Sequence, residues 1–196
     1  PVLVDQSSQE KHPLARGEWI KLYAALLNEE EKANELFSEQ TAHLDALSDN
    51  ASTNKTVAFF HISSSGFVVA RKSGDYVSKM IELAGGKYVF ENLGDPDKDT
   101  STVTVEMETF YEIAKDADFI IYNSTIGGEI KTMEEFLSLS GLLKNFKAVK
   151  TGNVWCTSEN MFQESLQLGR MIGDFNAIFT DNTENINGVR YLHKLK

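Results

Sequence analysis

The sequence predicts an α/β fold: a three-layer unit with a mostly parallel sheet flanked by helices, preceded by a helical segment. Three observations carry this. Apolar residues recur at helical spacing up to about residue 50, then switch to the short alternating runs of strands from residue 56. Beyond that point helical and strand-like stretches alternate, as they do where helical crossovers join parallel strands. The first and strongest strand-like run is apolar on both faces at its centre, which fits a sheet covered on each side.

The elements follow in order. PVLVDQ opens the chain as a strand-like run. HPLARGEWIKLYAALLN is helical: Pro13 suits a first turn, and Leu14, Trp19, Leu22, Tyr23, Leu26 and Leu27 recur near helical spacing. EEEKANELFSEQTAHLDALSDN is a second amphipathic helix, with Leu36, Phe37, Gln40, His43, Leu44 and Leu47 in its rows and a polar stop at 48–53. TVAFFHIS (56–63) is a strand rich in β-branched and aromatic residues. The loop SSSG, the short strand FVVAR and a turn at KSGD follow. DYVSKMIELAGG is a helix with Val77, Met80, Ile81 and Ala84 on one side and a glycine stop. KYVFENL reads as a strand and NLGDPDKDTST as a polar loop. From Thr104 the chain reads as a helix running into the strand DFIIYN, with STIGGEIK a loop and TMEEFLSLSG a short helix. NVWCT reads as the last strand of the sheet. A long helix then carries Phe162, Leu168, Met171, Ile172, Phe175, Ile178 and Phe179, and NGVRYLHKLK ends the chain.

Composition narrows the function. The 196 residues are 41% hydrophobic, enough for one well-packed domain, and the formal charge of 19 − 29 = −10 argues against a nucleic-acid surface. The single cysteine, Cys156, excludes an intrachain disulfide, and its apolar surroundings read as a buried small residue. No apolar run reaches the roughly 18 residues of a membrane span. Phosphate-cradling glycine loops, a nucleophile elbow, paired histidines and C-x-x-C are all missing from the sequence. His12, His43, His61 and His193 are widely spread.

Ligands of open α/β sheets sit beyond the carboxyl ends of the strands. Four polar or glycine-containing loops are expected on that edge: Ser63–Gly66 with Phe67, Asn92–Thr102, Asn123–Gly128 and Thr157–Gln163. His61, Ser64, Ser65, Phe67, Tyr122, Asn123, Ser124 and Phe162 are the candidate contacts to a large, partly apolar ligand, and Arg71, with Lys72, is a candidate contact to an anionic one. Glu106 and Glu108 open a helix, where the helix dipole alone accounts for carboxylates.

Several stretches together resemble a known family. HPLARGEWIK, MIELAGGKYVFENLG, METFYEIAKDADFIIYN, LLKNFKAVKTGNVWC and MFQESLQLGRMIGDFNAIF, in this order, are similar to the C-terminal part of TroA-like substrate-binding proteins of ABC transporters. That group takes up iron–siderophores, haem or cobalamin-like compounds. The resemblance implies two α/β lobes closing on a ligand, then docking on a membrane permease and its ATPase, without catalysis. It implies that residues 1–6 are the remnant of an N-terminal lobe, 12–50 the helical inter-lobe segment and 54–196 the C-terminal lobe. It further implies an exported protein, periplasmic or held at the cell surface by an N-terminal lipid anchor absent from this chain, with no intrinsic cofactor. The family's permease-contacting glutamate falls on Glu108, with Glu106 second. Asp116-Ala117-Asp118 departs from the proline that many members place before the strand. The alternatives are a flavodoxin-like domain or enzyme binding a small cofactor at the same edge, or a binder of free metal ions. Sparse histidines and the single cysteine count against the latter.

Overall fold

The computed structural model describes residues 2–48, 52–93, 100–158, 160–181 and 188–196. Two helices lead, α1 (Pro13–Leu27) and α2 (Glu30–Ser48). Pro13 presets the first helical φ, and the His12 imidazole caps the helix by accepting from the Leu14 N–H at 3.2 Å. Asn28, at φ 56°, ends α1 in the left-handed conformation that asparagine tolerates. The remaining elements are β1 (Thr56–Ile62), β2 (Val68–Arg71), α3 (Tyr76–Leu83), β3 (Lys87–Tyr88), β4 (Thr102–Val105), α4 (Met107–Ala114) and β5 (Phe119–Tyr122). They continue with α5 (Ser124–Gly127), α6 (Met133–Ser138), α7 (Lys147–Lys150), β6 (Val154–Thr157), α8 (Leu168–Phe179) and β7 (Leu192–Lys194).

The seven strands form one sheet in the order β4-β2-β1-β5-β6-β7, with β3 on β1 beside β2. β3 and β5 pair with β1 in parallel, and β6 with β5. β2 runs against β1, and β4 against β2, so β4 regains the direction of β1. Only β2 and β7 therefore oppose the rest, and the expected mostly parallel sheet is present. Helices cover both faces. On one, Phe60 meets Phe110 of α4 at 4.3 Å and Phe136 of α6 at 6.4 Å between ring centroids. On the other, Phe119 meets Phe179 of α8 at 5.4 Å. The strand β1 is buried along almost its whole length, which explains its unbroken apolar run.

The helical pair α1–α2 is joined to this body rather than hanging from it. The Gln40 side chain of α2 accepts from the Gly169 N–H at 3.1 Å, and a β-carbon on Gly169 would run into the Gln40 carbonyl. The Arg16 guanidinium of α1 lies 3.7 Å over the Tyr76 ring of α3. Asp118 ties β5 to β1, accepting from the Thr56 N–H and hydroxyl at 2.9 Å each, and pairs with Lys147 at 2.7 Å.

Several expectations are corrected. Thr104 belongs to β4, so the helix begins only at Met107. KYVFENL holds a strand of two residues, Lys87–Tyr88, before it turns away. The STIGG stretch contains the helical turn α5. The last strand is β7, which pairs with β6 near the chain's end. The long helix starts at Leu168, leaving Phe162 on the loop before it. The helix α1 forms where its spacing predicts, with Leu22, Tyr23, Leu26 and Leu27 exposed and Pro13, Gly17 and Ala24 buried. Pro1, the stop at 49–51, the middle of the Asn92–Thr102 loop (94–99) and residue 159 lie outside the described residues, as does the side chain of His43.

Candidate functional site

Strand register determines which loops share an edge. Ile62 at the end of β1 pairs with Val68 at the start of β2, and Val68 pairs with Val105 at the end of β4. On the other side, Asn123 donates its N–H to the Phe60 carbonyl at 2.8 Å, and Tyr122 pairs with Cys156. The ends of β4, β1, β5 and β6 therefore line up. The Ser63–Phe67 turn, the Asn123–Gly128 loop, the segment after Thr157 and the start of α4 share the carboxyl edge. The fourth expected loop departs from it. Thr102, at the opposite end of β4 from Val105, pairs with Arg71, and Lys72 donates to the Ser101 carbonyl at 3.0 Å. The described part of that loop borders a separate groove of about 970 Å³, lined among others by Arg16, Tyr76, Asn92 and Thr100.

The edge divides the candidate contacts into two kinds. Ser64 and Ser65 are exposed, and Phe67 is 37% exposed. Their turn is closed by the Ser63 N–H donating to the Phe67 carbonyl at 2.8 Å and the Phe67 N–H donating to the Ser63 hydroxyl at 3.2 Å. Asn123 and Ser124 are buried, each 2% exposed. The Asn123 side chain accepts from the Thr125 N–H at 3.2 Å and the Thr125 hydroxyl at 2.6 Å, capping α5. The Ser124 N–H donates to the Thr157 hydroxyl oxygen at 2.9 Å, and the Ser124 hydroxyl donates to the Thr157 carbonyl at 2.5 Å. Ser124, expected as a ligand contact, has its N–H and hydroxyl engaged in fixing α5 on β6, and Asn123, expected as another, has its side-chain oxygen in the α5 cap. Tyr122 is likewise core, edge-on to Phe60 at 6.0 Å. What α5 presents outward is Ile126, 71% exposed, a residue the sequence reading passed over because a lone isoleucine in a glycine loop gives no pattern.

His61 and Arg71 lie on the other face of the sheet, where His61 opposes Val69 and Arg71 ends β2. His61 is buried, and burial first, then the Arg71 charge, holds its imidazole below the ordinary range. The Arg71 guanidinium pairs with the buried Asp75 carboxylate at 3.5 Å and lies 5.4 Å over the Phe162 ring. Phe162 in turn meets Tyr76 edge-on at 6.5 Å, and burial pushes the Tyr76 hydroxyl up to about 12. Arg71 and Phe162 are thus brought together, with Tyr76 and Arg16, in a cation–aromatic ladder running from the loop after β6 to α1.

Glu106 is the residue before α4, in extended conformation with no side-chain cap bond, and Glu108 stands in the first turn. Both are exposed, and neither makes an ion pair or side-chain hydrogen bond among the described residues, whereas Glu112 of the same helix pairs with Lys115 at 2.7 Å. Among the described residues no three of His, Cys, Asp and Glu gather so as to hold a metal ion. No helix among them is long and apolar enough to cross a membrane. Cys156 is buried, and burial pushes its thiol up to about 11.

Comparison with known proteins gives a consistent frame. The model of the periplasmic binding protein family matches residues 1–160. An uncharacterized lipoprotein of Methanocaldococcus jannaschii is 30% identical over 166 residues, covering 84% of this chain and 38% of the relative. The periplasmic heme-binding protein HutB of Vibrio cholerae superposes with a TM-score of 0.65 at 18% identity, over 84% of this chain and 64% of that one. A protein of an ABC-type Fe3+-hydroxamate transport system of Saccharomonospora viridis superposes with a TM-score of 0.68 at 16% identity, over 86% and 56%. These structural likenesses establish the fold. The chain spans from 38% to 48% of the length of its curated relatives.

Proposed function

The chain belongs to the periplasmic binding protein family, and from that membership we propose that it forms the C-terminal lobe of the solute-binding component of an ABC importer. The ligand class is an iron–siderophore, haem or a cobalamin-type compound. The ligand is held between this lobe and another, and the closed clamp docks on the permease. No covalent chemistry is involved.

The observation that carries this is the carboxyl edge. The exposed Ser64–Phe67 turn, the rigidly mounted Ile126 and the start of α4 with Glu106 and Glu108 occur on one side of a single sheet. Polar and apolar groups for a large, partly apolar ligand and unpaired carboxylates for a basic partner are then available from one direction. The names of the similar structures, which speak of haem and of ferric hydroxamate, support the ligand class. The lipoprotein relative supports export and a lipid anchor. The exposed apolar residues of α1 supply a surface on which the other lobe would sit.

The test uses the full-length gene product. Calorimetry against haem, cobalamin and ferric chelates should find one that binds more tightly than roughly 10 μM, and failure with all of them would refute the ligand class. Glu108→Arg should leave that affinity unchanged while lowering uptake at least several-fold. Normal uptake by the variant would remove Glu108 from the docking site.

A further inference from the structure

We infer that Arg16 is the positioning residue of the clamp: its guanidinium locks the segment that leads into α1 against the start of α3, and so fixes the angle at which the second lobe stands. This rests on the two-lobe reading proposed above, in which residues 1–6 come from the other lobe.

The segment before α1 has little of its own to hold it. Ser7–Gln9 make one turn of 3-10 helix, with the Gln9 N–H donating to the Gln6 carbonyl at 2.8 Å and the Glu10 N–H to the Ser7 carbonyl at 3.3 Å. None of the three residues is buried, so packing does not fix the turn. Two side chains of α1 do. Arg16 donates from Nε to the Glu10 carbonyl at 2.9 Å and from Nη2 to the Ser8 carbonyl at 2.6 Å. The Trp19 indole N–H donates to the Glu10 carboxylate at 3.1 Å. The same Arg16 guanidinium lies 3.7 Å over the ring of Tyr76, the first residue of α3. That platform is itself held. Tyr76 meets Phe162 edge-on at 6.5 Å, and its neighbour Asp75 caps α3 by accepting from the Val77 N–H at 2.9 Å.

Only a guanidinium can do both things at once. It is planar and forked, so two of its edges serve two carbonyls while its face rests on a ring. An ammonium is a strongly hydrated point charge with no face to stack. The consequence is mechanical. A turn that swings by a few degrees moves the far side of an attached lobe by several times more than the turn itself. With residues 7–10 braced on α1 and α3, closure of the clamp bends the chain before Ser7 and leaves these residues still. Without the brace, the orientation that can close is occupied only part of the time, and apparent ligand affinity falls by that fraction.

The experiment compares full-length wild type with Arg16→Lys and Trp19→Phe. The first keeps the charge and loses the fork and the flat face. The second keeps an aromatic ring and loses the N–H. Amide hydrogen exchange reads the turn, and small-angle X-ray scattering without ligand reads the spread of the lobes. In both variants the Gln9 and Glu10 amides should exchange at least about 5-fold faster, and the radius of gyration should rise. Affinity for haem, cyanocobalamin or ferrichrome, whichever the wild type binds, should fall about 3- to 10-fold. Unchanged exchange would overturn the inference. Faster exchange with unchanged scattering would overturn it too, because Arg16 would then hold the turn and nothing further. A loss of affinity in Arg16→Lys alone, with exchange and scattering as in wild type, would make Arg16 a ligand contact instead. If the wild type binds none of the three probes, the ligand class fails while exchange and scattering still decide the role of Arg16. A wild-type scattering profile of a single lobe would refute the two-lobe reading, and the inference with it.

Discussion

At the scale of single residues, the polar groups nearest the carboxyl edge separate into those the fold consumes and those it leaves free. Ser124 is not distinguished by its sequence surroundings from the exposed Ser64 and Ser65. The difference lies in Thr157, a residue of another strand, whose two oxygens take up Ser124. No pattern local to the STIGG stretch encodes that partner. Cys156 was legible as a core residue, because a small apolar side chain in an apolar strand has few other uses. The buried His61 has a measurable signature. Burial and the Arg71 charge hold its pKa below the unfolded value of about 6.5. The folded state then binds fewer protons than the unfolded state over that window. The associated stability is complete above about pH 6.5 and is lost as pH falls toward the lower folded pKa. His61→Gln should therefore flatten the dependence of the urea midpoint on pH between about 7 and 5, compared with wild type. An unchanged slope in the variant would mean that His61 titrates alike in both states.

At the scale of elements, legibility followed length and burial. β1 and β5 were plain because strands covered on both faces show continuous apolar runs. β4 carried its own signal in the β-branched run TVTV, but the helix reading that began at Thr104 took over half of it. β7 has three residues and exists because β6 offers an edge, which is a tertiary cause that sequence pattern cannot carry. The helix α8 was placed too early because Phe162 falls on the spacing of its apolar stripe, although a separate 3-10 turn at Ser165–Gln167 intervenes. The contact of α2 with α8 depends on one such unreadable detail, the close approach of Gly169 to Gln40. Gly169→Ala should push α2 off α8 and break the bond from the Gly169 N–H to the Gln40 side chain. The expected loss is about 1–3 kcal/mol in urea unfolding, the usual cost of overpacking. Gly173→Ala, where the added carbon meets nothing within 4 Å, is the matched control. Equal stability of the two variants would mean that the helices have room to part.

At the scale of the whole molecule, the conspicuous feature is apolar surface left uncovered where the chain is otherwise closed. Leu26 and Leu27 are 65% and 70% exposed, and Leu22 and Tyr23 lie one helical turn before them on the same face of α1. Val2, Leu3 and Val4 are exposed as well. The helical period in the sequence was read correctly, but periodicity cannot say whether the partner of an apolar face lies inside the chain or outside it. Here α1 buries its small residues, Gly17 and Ala24, and turns Leu22, Tyr23, Leu26 and Leu27 outward. Covering a leucine is worth about 1.5–3 kcal/mol. The 196-residue chain alone should consequently self-associate through this face at tens of micromolar, in sedimentation velocity. Leu26→Glu/Leu27→Glu should remain monomeric with unchanged circular dichroism, because neither side chain takes part in the core. A wild-type chain that stays monomeric at high concentration would show that the face is too small or too interrupted to hold a partner. It would then remove the surface on which the proposed second lobe is seated.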